Sequence, residues 1–222
     1  MVDATDGCMP QHFLELPTSN TMPELIFVID PMCSWCWGFH PVMEELRHKH
    51  SNHYKFSLVA GGLRTTGEMT WNKQSKAYLK QNWDAVAKRT GQPFSHTLLN
   101  RSTFDYNTYP TCKALVVVRE LWGDEASFDY LSCIQKAFYA DGIDITSLDV
   151  LTSFVTHEKK AFQAFYKSER AELLMQNDFS KSRSMGANAF PSVVKIDEDG
   201  HMVCLKGYRS AEEILTIYYH TK

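Results

Sequence analysis

Two cysteines separated by two residues lie where a buried strand is followed by a helix. The apolar run Leu25-Ile26-Phe27-Val28-Ile29 has the length and β-rich composition of a strand buried on both faces, and Asp30-Pro31 closes it. Apolar residues then recur at intervals of three and four as far as about His50, which predicts a helix. The segment Cys33-Ser34-Trp35-Cys36 therefore lies at the amino end of that helix.

This position gives the two thiols different chemistry. A helix N-terminus presents unpaired N–H groups and about half a positive charge, which lower the pKa of a cysteine there from ~8.5 towards ~3.5 to 7. We expect Cys33 to be the exposed nucleophile and Cys36, inside the first turn, to be the more buried thiol that resolves a mixed disulfide. The spacing places the two sulfurs about one turn apart, close enough to form a disulfide.

The same spacing also occurs in zinc sites. A closed zinc site needs four ligands, but the other cysteines, Cys8, Cys112, Cys133 and Cys204, stand singly. The nearby histidines do not share a helix face with both Cys33 and Cys36. Redox chemistry without a metal or other cofactor is therefore favoured over metal binding.

The overall composition sets the class of protein. A net charge of -3, from 23 Lys+Arg and 26 Asp+Glu, gives no electrostatic signature of a nucleic-acid or membrane partner. No apolar run approaches the ~18 to 20 residues that span a bilayer. No Lys or Arg precedes Arg47, so a secretory signal is not expected. We expect a cytoplasmic protein. Six cysteines in 222 residues are too few for a disulfide scaffold.

The remaining pattern predicts an α/β fold with a long helical interruption. Residues 54–58 alternate in polarity and predict a half-buried strand that ends at Gly61-Gly62, which completes a βαβ unit. Residues 190–196 and 201–206 predict a hairpin, and Ser210 with Glu213 forms a capping box before a last helix, giving ββα.

Between these halves the pattern is almost entirely helical. Helices are predicted at 68–89, at 110–122, at 125–140 and from about 146 onward, the last opening at Thr146 and stopping near Gly186. The predicted organisation is a leader at 1–22, a core formed by 23–69 and 186–222, and a helical insertion at 70–185. Cys112 and Cys133, within helical patterns, are expected to be buried.

Several segments resemble the DsbA-like branch of the thioredoxin superfamily, from about residue 24 to the C-terminus. Asp30 to Phe39 is similar to the active-site signature of its cytoplasmic members, which are described as predicted protein-disulfide isomerases. Ala189-Phe190-Pro191-Ser192 resembles the cis-proline loop of the superfamily. Matches in the same subgroup are Pro41, which resembles the proline that kinks the active-site helix, and the segments Tyr106 to Ala114 and Ala137-Phe138-Tyr139.

The resemblance implies a thioredoxin-like fold with a helical domain inserted between its halves. It implies a thiol-disulfide oxidoreductase or protein-disulfide isomerase with Cys33 and Cys36 as catalytic residues, acting on protein or small-thiol disulfides, glutathione among them. It also places a cis Pro191 beside the disulfide, with the backbone of Phe190 available to a substrate strand. Trp35 is interpreted either as part of an apolar substrate rim or as a core residue.

Two points limit what the resemblance implies. Periplasmic members have Pro-His between the cysteines where this chain has Ser34-Trp35, so their strongly oxidising behaviour does not carry over. The kappa-class glutathione transferases and hydroxychromene-carboxylate isomerases have a related split fold but place Ser at the position of Cys33, so a glutathione-dependent transferase or isomerase is the alternative.

A non-catalytic binding module that uses the insertion as its contact surface is a third hypothesis.

Overall fold

The computed structural model describes residues 22–67 and 69–220, so the predicted leader and Cys8 lie outside the described residues, except for Met22. Within these ranges the chain forms four strands and seven α-helices, and none of these helices is long and apolar enough to cross a membrane. The elements are β1 Glu24–Ile29, α1 Ser34–His50, β2 Lys55–Ala60, α2 Lys73–Thr90, α3 Tyr109–Tyr139, α4 Leu148–Ser153, α5 Lys159–Tyr166, α6 Glu169–Ser184, β3 Ser192–Ile196, β4 Met202–Lys206 and α7 Ala211–His220.

The strands form one mixed sheet in the order β2-β1-β3-β4. β1 pairs in parallel with β2 and antiparallel with β3, and β3 pairs antiparallel with β4. Residues 25–29 of the central strand are fully buried, as their apolar run predicts. The order confirms the predicted thioredoxin-like arrangement of a βαβ unit followed by ββα.

The five helices between β2 and β3, α2 to α6, form a helical block that packs on the same core. Phe128 of α3 lies edge-on to Phe27 of β1, with ring centroids 6.0 Å apart, and Phe27 also contacts Phe39 of α1 and Phe56 of β2. The block thus lies directly against the sheet. The residue boundaries of the core and the insertion stay a prediction.

The prediction that β2 is half-buried is wrong, because every residue of this edge strand after Lys55 is buried. The guanidinium of Arg119 on α3 donates to the Leu58 carbonyl, and the Asp178 carboxylate of α6 accepts a hydrogen bond from the Ala60 N–H at 2.8 Å. Arg119 and Asp178 also pair with each other at 2.7 Å. These side chains satisfy backbone groups that an edge strand would otherwise leave open to another chain.

Helix ends depart from the predicted signals at four places. α2 begins at Lys73 rather than near residue 68, and the helix predicted from about 146 to Gly186 is three helices, α4, α5 and α6. The helices predicted at 110–122 and 125–140 form one element, α3, interrupted at Gly123, where φ is 88°. Thr146 does not cap the next helix, because its hydroxyl donates to Asp144 at 2.6 Å and the Ser147 side chain caps α4 instead. The predicted capping box of α7 is present: Ser210 N donates to Glu213 at 2.7 Å, and Glu213 N donates to Ser210 at 3.2 Å.

Candidate active site

The turn between β1 and α1 places the two cysteines at different depths. Cys33 N donates to the Asp30 carbonyl at 3.0 Å, and Cys33 is the N-cap residue of α1. Its own carbonyl accepts hydrogen bonds from the backbone of Cys36 and Trp37, at 2.9 and 3.1 Å, which form the first turn of the helix. Cys36 therefore lies one turn inside the helix, as predicted, and both thiols are free.

Burial distinguishes the two thiols further. Cys33 is 6% exposed, whereas Cys36 is completely buried. Burial raises the pKa of Cys36 well above its ordinary value, and the hydrogen bond and negative charge of Cys33 raise it further. At neutral pH Cys36 therefore keeps its proton. The expectation that Cys33 is exposed is wrong, because the loop before β3 covers it, although Cys33 is the less buried of the two.

A loop before β3 closes one side of the dithiol. The Phe190–Pro191 bond is cis, as predicted, and the Cys33 thiol donates to the Phe190 carbonyl oxygen over 3.6 Å. The Pro191 carbonyl accepts a hydrogen bond from Gly207 N at 2.8 Å, which ties the loop to the end of β4. The Phe190 ring covers Gly61, where a Cβ atom would lie 2.0 Å from the ring, so only glycine allows this approach.

The two tryptophans beside Cys36 have different surroundings. Trp35 is half-buried and its ring lies 5.8 Å from that of Tyr208, at the edge of a groove that Phe190 also lines. Trp37 is 5% exposed, stacks on Tyr139 and donates from its indole N–H to the Pro93 carbonyl at 3.0 Å. Trp35 therefore faces the groove, and Trp37 belongs to the core.

Two tyrosines lie beneath the turn, Tyr106 in the segment before α3 and Tyr139 at the end of α3, and the sequence assigned neither a role. The Tyr106 hydroxyl donates to the Met32 carbonyl at 2.8 Å and lies 3.4 Å from the Tyr139 hydroxyl. Burial raises the pKa of both phenols, so both remain neutral donors. The only signal for them in the sequence is that each lies in a segment that resembles the DsbA-like subgroup.

Asp30 organises the same turn from inside the protein. Its fully buried carboxylate accepts hydrogen bonds from Met32 N at 2.8 Å, Leu63 N at 2.6 Å and the Cys112 thiol at 3.4 Å. Burial raises the pKa of Asp30, and these hydrogen bonds oppose that rise. Cys112 is buried as expected, but the expectation for Cys133 is wrong, because it lies on an exposed face of α3.

Metal ligation was the alternative for the cysteine pair. Among residues 22–67 and 69–220, no group of three or more His, Cys, Asp or Glu side chains is placed to hold a metal ion. In that part of the chain the interactions around Cys33 and Cys36 are with the turn, the cis-proline loop and the tyrosines.

A dithiol at the start of the first helix of a βαβ unit, facing a cis-proline loop, defines a thioredoxin-like dithiol protein. A family model described as Thioredoxin matches residues 26–215. The chain therefore belongs to the thioredoxin family.

Several solved structures with similar folds are named as disulfide enzymes, and one is named as a 2-hydroxychromene-2-carboxylate isomerase, with 11% identity and a TM-score of 0.60. A candidate protein disulfide isomerase from Nitrosomonas europaea is 28% identical, with a TM-score of 0.80 over 90% of this chain and 98% of that chain. The cytosolic disulfide reductase DsbM from Pseudomonas aeruginosa is 24% identical, with a TM-score of 0.68 over 82% of this chain and 89% of that chain. A structure of DsbM with GSH matches at 23% identity and a TM-score of 0.67.

The curated relatives are named as adapter proteins and not as disulfide enzymes. The ClpXP adapter protein SpxH from Bacillus licheniformis is 24% identical over 174 residues, which cover 77% of this chain and 56% of the adapter. Against the four curated relatives that match, this chain spans 56% to 66% of their lengths.

Proposed function

We propose that this protein is a thiol-disulfide oxidoreductase that acts through Cys33 and Cys36. The observation that carries the proposal is the placement of the Cys33 sulfur at the start of α1 and beside the Phe190 carbonyl, at 3.6 Å, with Cys36 buried one turn behind it. A sulfur in this position can react with the disulfide of a substrate, while the Cys36 sulfur stays buried until the mixed disulfide has formed.

The reaction has two exchange steps. The Cys33 thiolate attacks one substrate sulfur, the substrate S–S bond breaks, and the leaving thiolate takes a proton from water. The Cys36 thiolate then attacks the Cys33 sulfur of the mixed disulfide, which releases the second substrate thiol and forms the Cys33–Cys36 disulfide. Two electrons and two protons pass from the protein dithiol to the substrate. The reverse sequence oxidises a substrate dithiol, and a second thiol or disulfide couple resets the protein.

The environment of Cys36 suits the second step. Part of the rise in its pKa comes from the hydrogen bond and charge of Cys33. A mixed disulfide removes both the charge and the free thiol of Cys33, so the pKa of Cys36 falls when the resolving attack is required. The part of the rise that comes from Cys33 is therefore absent in the intermediate, whereas the larger part, which comes from burial, remains.

We assign the cis-proline loop and Trp35 to substrate binding, with Phe190 and Pro191 as the loop residues involved. The loop borders Cys33, and Trp35 and Phe190 line the same groove. The substrates proposed are protein or small-thiol disulfides, including glutathione, and the GSH in a DsbM structure supports the latter. We place the activity in the cytoplasm, as in the cytosolic reductase DsbM.

The presence of both cysteines argues against the glutathione-transferase or isomerase alternative. That chemistry activates one external thiol and does not need a resolving sulfur, whereas here the chain supplies two free thiols one turn apart. We therefore favour dithiol exchange over transfer to or from bound glutathione.

The test is reduction of a protein disulfide, with insulin as substrate and dithiothreitol as the regenerating reductant. We expect Cys33→Ser to abolish the acceleration. Cys36→Ser, first reduced and then freed of dithiothreitol, should accumulate a mixed disulfide with insulin at Cys33. Cys133→Ser, which alters an exposed thiol of α3, is the control and should retain the wild-type rate. Activity in Cys33→Ser equal to that of the wild type would overturn the proposal.

A second candidate is a protein-binding adapter role, because the curated relatives are named as ClpXP adapters. If this chain has that role, it should bind purified ClpX, and the variant with both Cys33 and Cys36 replaced by serine should bind equally well. Absence of binding at micromolar ClpX, measured by surface plasmon resonance, would remove this candidate.

A further inference from the structure

A groove of about 470 Å³ lies beside the dithiol, between α2 of the helical block and the loop that joins β4 to α7. We call it the Trp35 groove, and its lining residues are Trp35, Arg89, Phe190, Gly207, Tyr208 and Glu213. Trp35 lies between the two cysteines in the chain, and the Phe190 carbonyl contacts the Cys33 sulfur. A substrate bound to Cys33 therefore has one of its flanking segments at the mouth of this groove.

An arginine lies at the far side of the groove. The Trp35 and Tyr208 ring centroids are 5.8 Å apart, and the guanidinium carbon of Arg89 lies 5.7 Å from the Tyr208 centroid. Tyr208 thus supports the guanidinium through a cation–π contact. Because an extended segment rises ~3.3 Å per residue, the two contacts that lead from Trp35 through Tyr208 to Arg89 correspond to about three residues of a bound extended chain.

The groove is lined by one cation, Arg89, and one anion, Glu213, and of these two only Glu213 is engaged by a hydrogen bond among the described residues. In the part of the chain that the structure describes, no carboxylate oxygen lies within ion-pair distance of Arg89. Glu213 also lines the groove, but it caps α7 by accepting a hydrogen bond from Ser210 N at 2.7 Å. The hydrogen bonds from Ser210 lower the pKa of Glu213, and the positive charges of Arg209 and Arg89 lower it further, so this carboxylate is ionised and is held in the cap of α7.

We propose that Arg89 makes the Trp35 groove a subsite for a carboxylate close to the reacting cysteine of a disulfide substrate. This inference rests on the proposed thiol-disulfide exchange and specifies its substrate class. The planar guanidinium can bind a carboxylate through two hydrogen bonds while its face remains on Tyr208. The carboxylate comes either from an acidic side chain of a protein disulfide or from the C-terminus of a short peptide thiol.

The experiment compares reduction rates of synthetic peptide disulfides that differ at one position. The first set carries Glu, Gln or Lys three residues from the cysteine. The second set is a short Cys-containing peptide with a free or amidated C-terminus. For the wild type we expect the Glu peptide to react about three- to fivefold faster than the Gln peptide at low ionic strength, and the Lys peptide to react slowest. The advantage should shrink at high salt. A corresponding advantage of the free C-terminus identifies the second source of the carboxylate.

Variants of α2 assign the effect to Arg89. Arg89→Ala should bring the Glu-to-Gln rate ratio to about one, and Arg89→Glu should favour the Lys peptide, by the same charge argument. Lys88→Ala is the matched control, because it removes a neighbouring exposed charge that does not line the groove, and it should keep the wild-type ratio.

The outcomes separate the two proposals. Equal rates of the wild type on all peptides would overturn the carboxylate subsite and leave thiol-disulfide exchange intact. An equal loss of rate on every peptide in Arg89→Ala would also overturn it. The guanidinium would then maintain the structure of the groove without distinguishing the charge of the substrate. If the wild type reduces none of the peptides and no insulin, the proposed function itself fails, and the subsite fails with it.

Discussion

Replacing Tyr106 by phenylalanine removes one hydroxyl group and leaves the aromatic ring in its packing position. The ring is 2% exposed and lies edge-on to Phe104 and Phe138, with centroids 5.7 and 5.8 Å away. The lost donor is the one that serves the Met32 carbonyl at 2.8 Å. The variant therefore tests whether the helical block holds the turn that carries Cys33.

The expected loss of stability follows from that hydrogen bond. Leaving a buried carbonyl without its partner costs ~1 to 3 kcal/mol, and we take ~2 kcal/mol. In a chain of this length each kcal/mol lowers Tm by about 2 to 4 °C, so calorimetry should show Tm lower by about 4 to 8 °C.

Tyr130→Phe is the matched control for this prediction. Tyr130 is also buried, and its hydroxyl donates to the Leu151 carbonyl at 2.9 Å, within the helical block. Both variants should lose similar stability. Only Tyr106→Phe should slow iodoacetamide alkylation of Cys33 at pH 7, by about two- to fivefold, which corresponds to up to ~1 kcal/mol. The slower reaction is expected because a loosened turn moves the sulfur away from the amino end of α1, where the helix dipole stabilises a thiolate.

The assay is time-resolved alkylation at 25 °C followed by mass spectrometry of the Cys33 peptide. Equal Cys33 alkylation rates in Tyr106→Phe and Tyr130→Phe, together with equal losses of Tm, would refute the reasoning. The Tyr106 hydrogen bond would then contribute only to stability.

Three further predictions concern the two thiols, the edge strand and the glycine below the loop. Iodoacetamide across pH 4 to 9 should modify Cys33 first, because burial raises the pKa of Cys36 and keeps it protonated; faster labelling of Cys36 would reverse the two roles. Asp178→Ala should lower the free energy of unfolding in urea by ~3 kcal/mol, since it leaves an arginine and a strand N–H unpaired, and a loss below ~1 kcal/mol would contradict this account of the edge. Gly61→Ala should slow insulin reduction ~10- to 100-fold by displacing Phe190, and an unchanged rate would show that the loop does not position substrate.

Local sequence signals predicted the elements that carry the dithiol. The change from a continuous apolar run to a helical period places Cys33 at the N-cap of α1, because both signals lie within about twenty residues. The Ser210 and Glu213 capping box is equally local. The cis state of Pro191 was expected only from the resemblance, because an X-Pro bond in a folded protein is cis in only ~5 to 6% of cases.

Contacts between distant segments account for what the sequence did not predict. Burial of β2 comes from α3 and α6, whose residues lie far along the chain from the alternating strand pattern. Tyr106 contacts the Met32 carbonyl across 74 positions, and Arg89 approaches Tyr208 from another element altogether. Thr146 and Ser147 both carry capping hydroxyls, and the choice between them depends on the competing carboxylate of Asp144.

The central claim is that Cys33 and Cys36 form one reversible two-electron couple. It is tested most directly by equilibrating the wild-type protein with glutathione buffers of graded potential, quenching with acid and measuring the disulfide-linked peptide by mass spectrometry. We expect a single two-electron transition of the Cys33–Cys36 disulfide, with a midpoint between about -270 and -120 mV, the range of characterised thioredoxin-like dithiols. Failure to form that disulfide at any potential, with both thiols still free under oxidising conditions, would contradict the account.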